Sequence, residues 1–88
     1  MTYLAASGQA LRVAIVIPAY NEAESLPDLL AAIPAAVDRV VVGDNGSSDA
    51  TAALARTGGA VVVHEPERGC GAACLAAIAW LAAHEPPD

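Results

Sequence analysis

The chain has no lysine, no phenylalanine and only four arginines among its 88 residues. The arginines stand apart, at 12, 39, 56 and 68, and the net charge is −6. A nucleic-acid surface needs clustered positive charge, so no nucleic-acid partner is expected. A defined pocket for one nucleotide is not excluded. Aromatic residues are limited to Tyr3, Tyr20 and Trp80, and much of the apolar fraction is alanine, which buries little area per residue. A chain this short buries only roughly 60–65% of its unfolded surface, so the core is small. The two cysteines, at 70 and 74, match neither a metal-ligand spacing nor a C-x-x-C redox motif. They read as reduced, buried, small apolar residues. No basic segment followed by a long apolar core opens the chain. The longest apolar segment, 72–83, is too short to span a bilayer. A cytoplasmic location is expected.

What is present begins with Val13-Ala14-Ile15-Val16-Ile17. This apolar run is bounded by Pro18 and reads as a short buried strand. Proline cannot donate to a strand ladder, so the strand is expected to end about there. It delivers Asn21 and Glu22 at its C-terminal end, where open α/β sheets place ligand sites. Residues 1–11 read as a flexible leader.

Leu26, Leu29, Leu30 and Ile33 share one helical stripe, which predicts a helix over about 24–36. Pro27 suits its first turn, and Pro34 marks its last turn or its end. A second strand is predicted over 38–43. It exits into Asp44-Asn45-Gly46-Ser47-Ser48-Asp49, where Ser47 or Ser48 is placed to cap a helix over 49–56. Gly58 and Gly59 end that helix. A third strand is predicted over 60–64, with residues 65–69 as its exit. The last helix, 70–84, is apolar nearly all round and is expected to be buried on more than one side. Its apolar surface is also a candidate for self-association. His64 and His84 carry no partner motif and read as structural or exposed.

The order β-α-β-α-β-α predicts a Rossmann-like α/β three-layer sandwich. Its strands are parallel and joined by right-handed crossovers, with strand order 3-2-1. A half-sheet ending in an apolar helix reads as truncated, so residues 12–88 are expected to be half of a larger domain.

Parallel strands bring their C-terminal ends to one edge. Asn21 and Glu22, then Asp44 and Asn45, then Arg68 and Gly69 converge there. Ionised Glu22 and Asp44 accept hydrogen bonds, which suits ribose hydroxyls and the imide-type N–H of uracil or guanine. Arg68 suits a phosphate or one of the acids. Gly69 and Gly71 allow close backbone approach at a helix N-terminus. Together these groups suggest a nucleotide. Blander roles stand beside that reading: a turn and N-cap for residues 44–49, a helix-dipole role for Glu22, a surface ion pair for Arg68. Gly69 and Gly71 could serve only the tight turn, and Tyr20 only the core.

Residues 13–22, together with Val40-Val41-Val42-Gly43-Asp44-Asn45-Gly46-Ser47-Ser48-Asp49-Ala50-Thr51, resemble the N-terminal part of family 2 glycosyltransferases of the GT-A fold. The Arg68-Gly69-Cys70-Gly71-Ala72-Ala73 stretch resembles the third motif of the dolichyl-phosphate mannosyl- and glucosyltransferase branch. The resemblance implies a UDP- or GDP-sugar donor and a polyprenyl-phosphate or glycan acceptor, a lipid acceptor being the route to membrane association of the full-length protein. It places Pro18, Ala19, Tyr20, Asn21 and Glu22 around the nucleoside, with Glu22 on the ribose. It places Asp44 on the base, with Asn45 beside it, and Arg68, Gly69 and Gly71 near the nucleotide. It implies an inverting enzyme with a divalent metal, Mg or Mn, whose D-x-D ligands are not in this chain. No catalytic residue is assigned, and the 88 residues alone are expected to be inactive. Gly43, where the family commonly carries a larger residue, is given little weight. Two other classes remain: a non-catalytic α/β interaction module, and a dinucleotide-binding oxidoreductase domain. The first strand exits into Pro-Ala-Tyr-Asn-Glu and not into a glycine-rich turn, which speaks against the second.

Overall fold

A computed structural model describes residues 2–5 and 12–84. The elements are β1 (Thr2–Ala5), β2 (Arg12–Ala19), α1 (Leu26–Ala31), β3 (Arg39–Asp44), α2 (Thr51–Thr57), β4 (Val61–His64) and α3 (Cys70–His84). They form one four-stranded sheet in the order β1-β2-β3-β4. The parallel strands β2, β3 and β4 follow chain order, 1-2-3 from the β1 side and not the expected 3-2-1; the second strand is central in both. The α/β class stands as expected.

Four residues of the segment read as a leader, Thr2–Ala5, form β1 antiparallel to β2. Residues 6–11 lie outside the described residues. β2 also runs on through Pro18 to Ala19, past the expected end. The Ala19 carbonyl faces β3, where it accepts the Asn45 N–H. Pro18 therefore turns its backbone the other way. β1 pairs with residues Arg12 to Ile15, so among the described residues no strand on that side calls on the missing N–H.

Alternation along the strands divides the core into two layers. Ala19, Val42, Ala55, Ala60 and Leu26 pack on one face with α1 and α2. Val16, Val41 and Ala77 pack on the other under α3. Gly43 belongs to this second face. A Cβ built there would sit 2.3 Å from the Ala73 carbonyl oxygen, so only glycine lets α3 lie this close to β3. The sequence reading gave this residue little weight, and the packing corrects it.

α1 is six residues long, not about thirteen. Its last turn tightens, with Ile33 N–H bonded to the Leu30 carbonyl, and Pro34 keeps the preceding residue from continuing the helix. Leu29, within α1, is exposed. α3 has the expected span, but only one side is fully covered. Ala73 and Ala77 are buried, whereas Leu75 and Ile78 face outward. Cys70 is exposed and Cys74 only half-buried, so neither is the buried apolar residue expected. Burial and the neighbouring Cys70 push the Cys74 thiol pKa up. Among the described residues no helix is long and apolar enough to cross a membrane.

Candidate functional site

The C-terminal ends of β2, β3 and β4 meet in register, with Ala19 beside Asp44 and Asp44 beside His64. Asp44 is buried, at 2% exposure, although it is a charged residue at a strand exit. A buried carboxylate persists only when donors satisfy it. The Ser47 hydroxyl donates to Asp44 Oδ1 at 2.5 Å. The His64 Nδ1 lies 3.2 Å from Oδ2. Arg56 Nη2 lies 3.3 Å from His64 Nε2. A guanidinium only donates, so Nε2 accepts and the ring proton sits on Nδ1, facing Asp44.

Asn45 joins the second exit to the third. Its amide donates to the carbonyls of Glu65 (2.9 Å) and Glu67 (2.6 Å), and its Oδ1 accepts the Gly69 N–H at 2.7 Å. Gly69 adopts φ +124, which disfavours any residue with a Cβ. This loop carries Arg68 back over the first exit. Its guanidinium stacks on the Tyr20 ring at 4.0 Å and donates to the Tyr20 hydroxyl at 2.8 Å.

The first exit is tied to the second by side chains from the loop after β3. Asn21 is left-handed, with φ 52, a conformation asparagine tolerates better than most residues. Its N–H donates to Ser47 Oγ (2.9 Å) and its Oδ1 accepts the Ser48 N–H (2.9 Å). The Glu22 N–H donates to Thr51 Oγ1 at 2.8 Å. The Thr51 hydroxyl donates in turn to Asp49, which also accepts the N–H groups of Ala23 and Thr51. Ser47 and Ser48 are therefore cross-braces and not the expected caps. Ala50 is the N-cap of α2 and makes no side-chain cap bond; Asp49, one residue earlier, meets the first-turn donor instead.

These three cross-linked exits lie inside a longer match. The glycosyl transferase family 2 model matches residues 14–83. The chain belongs to glycosyltransferase family 2. An uncharacterised glycosyltransferase of Mycobacterium bovis is 51% identical over 74 residues, which cover 84% of this chain and 33% of that protein. An uncharacterised glycosyltransferase of Mycobacterium tuberculosis matches to the same extent. The chain thus spans about a third of the length of these relatives. Among solved structures, it is similar to glucosyl-3-phosphoglycerate synthase of M. tuberculosis bound to Mn2+, UDP and glucosyl-3-phosphoglycerate. That match has a TM-score of 0.58 and 29% identity, covering 68% of this chain and 26% of that one. The same enzyme bound to phosphoglyceric acid matches with a TM-score of 0.57 and 32% identity. The sheet with its two helical layers accordingly has the Rossmann-like α/β fold of these GT-A neighbours.

Within this family framework the expected site residues separate. Tyr20, Asn21, Glu22, Asp44, Asn45, Arg68 and Gly69 come together at the edge. Pro18 is half-buried within β2, and the Ala19 side chain lies in the core, so Ala19 reaches the edge through its carbonyl alone. Gly71 is in the first turn of α3, where a Cβ would meet nothing within 4 Å. It is not needed for close approach. His64, Ser47 and Thr51 were not singled out as site residues. Register alone could have found His64, because it is the β4 partner of Asp44. A divalent metal accompanies the solved relative. Among the described residues no group of three His, Cys, Asp or Glu side chains could hold one, so no step through a metal is assigned to them.

Asp49 gives the site a measurable acid response. The Thr51 hydroxyl above all holds its carboxyl below the ordinary 3.8; desolvation opposes it, and backbone N–H donors add smaller downward effects. A carboxylate with a depressed folded pKa contributes stability above its unfolded pKa and loses it as pH falls through the folded one. Asp49→Asn is therefore expected to flatten the fall in urea midpoint on acidification below 3.8. Equal slopes in parent and variant would show that Asp49 carries none of this acid sensitivity.

Proposed function

We propose that this edge binds the nucleoside of a UDP-sugar, and that the complete glycosyltransferase passes the sugar to an acceptor hydroxyl with inversion. The observation that carries the reading is the buried Asp44, held by donors alone where three strand exits are laced together. Such a fixed acceptor suits the imide N–H of uracil. UDP in the related synthase supports uridine over guanosine. The Tyr20–Arg68 stack forms one wall. Glu22 is exposed at the same strand exit, and its carboxylate is assigned to the ribose hydroxyls. The donor's divalent metal is assigned to residues other than those described.

The acceptor expected from the dolichyl-phosphate branch, a polyprenyl phosphate, has less support than a small phosphorylated acid. The related synthase is described with phosphoglyceric acid and its glucosylated product. Titration of the chain with UDP by calorimetry tests the donor. Asp44→Ala is expected to weaken binding about tenfold, the loss of one hydrogen bond to a charged group. Asp28→Ala, which removes an acid from α1, is expected to leave it unchanged. Asp49→Ala is a poor control, because Asp49 braces the Glu22 loop. Equal affinity in all three proteins would refute the assignment of Asp44.

A further inference from the structure

Asp44 is almost sealed. Its side chain is 3% exposed, while the His64 side chain against it is 60% exposed. Both carboxylate oxygens are engaged: Oδ1 by the Ser47 hydroxyl and amide, Oδ2 by His64. A carboxylate has about four acceptor positions. The unused one has no appreciable solvent-facing surface, so no ligand N–H reaches Oδ2 while the imidazole stays in place.

We propose that His64 is an internal competitor for the nucleobase: its Nδ1–H occupies Asp44 in the empty chain, and the N–H of an incoming uracil replaces it. This rests on the reading of Asp44 as the base acceptor. The donor count is conserved, since one N–H leaves Oδ2 and another arrives, and the imide N–H of uracil, more acidic than an imidazole N–H, makes the stronger bond. Ser47 is the worse candidate to move, because its Oγ also accepts the Asn21 N–H and braces the loop. His64 stands at the end of β4, and its second side-chain contact, with Arg56, is at the surface. Swinging outward breaks the Asp44 contact, which the uracil N–H replaces, and the exposed Arg56 contact. Arg56, which donates to Nε2, holds the proton on Nδ1 and so keeps the competitor in its donating form.

A competitor lowers apparent affinity by the fraction of chains it keeps closed. A net hydrogen bond makes that factor about 3–10-fold. Calorimetry with UDP on the full chain is the test. His64→Ala is expected to bind UDP about 3–10-fold more tightly than the parent. His64→Asn retains an N–H donor and is expected to stay within about twofold of the parent. A merely structural histidine would give weaker binding on truncation. Nitrogen NMR of the His64 ring adds an independent readout. Saturating UDP is expected to change its Nδ1 signal, whereas CDP, whose ring N3 carries no hydrogen, is expected to leave it in place. Unchanged or weaker UDP binding by His64→Ala, or a His64 ring signal indifferent to UDP, would overturn the proposal. If UDP binds the parent and is lost in Asp44→Ala under those results, the nucleoside pocket stands without the competitor. If neither parent nor His64→Ala binds UDP, the pocket itself fails and the competitor fails with it.

Discussion

Gly43→Ala is expected to destabilise the chain by about 3–5 kcal/mol and to lower its melting temperature by more than about 12 °C. The added methyl would lie 2.3 Å from the Ala73 carbonyl oxygen and 2.9 Å from its carbon. Both are main-chain atoms of α3, so no side chain can rotate away. The helix must lift from the sheet, which loosens the layer of Val16, Val41 and Ala77. A chain of this length has a total stability of only about 4–13 kcal/mol, so the loss is a large share of it. Because the clash is with backbone, Ala73→Gly in the Gly43→Ala background should not restore stability. Thermal melts followed by circular dichroism read both results. A shift of less than about 2 °C for Gly43→Ala would show that α3 does not pack against β3 as described.

Asn45→Asp is nearly isosteric and is expected to cost about 2–4 kcal/mol. Asn45 is buried, at 6% exposure, and bridges two strand exits with three hydrogen bonds. The substitution keeps the acceptor for Gly69 N–H. It replaces the amide donor with a carboxylate oxygen facing the carbonyls of Glu65 and Glu67. Acceptors then oppose acceptors in a poorly hydrated site. The exit loop after β4 should loosen, releasing Arg68 from Tyr20. Urea unfolding measures the cost, and faster amide exchange at Gly69 measures the loosening. A variant as stable as the parent, with Gly69 still protected, would remove Asn45 from its place as the link between exits.

Both sites bear on what a sequence can show. The alternation of strands and helices needed only hydrophobic period and turn residues, and the three polar exits followed from parallel topology. The span of α3 was legible because glycine precedes it and prolines follow it. Gly43 was not, because its reason is the approach of an element thirty residues away. The braces were hidden for the same cause. Ser47, Ser48 and Asp49 look like capping residues locally, yet Ser47 and Ser48 bond to Asp44 and Asn21, and Asp49 adds Ala23 to its local partner Thr51. α1 was over-extended because its apolar stripe outlasts its geometry, which Pro34 cuts short. His64 was missed because strand register, which sets it beside Asp44, is a tertiary quantity.

The central claim is that the three cross-linked strand exits form a nucleoside pocket. A UDP titration followed by amide NMR tests it most directly. Saturable shifts are expected, concentrated at Asn21, Glu22, Asn45, Glu65 and Gly69, with the outer face of α3 around Leu75 and Ile78 undisturbed. Shifts absent from these exits, or centred on that helix face, would contradict it.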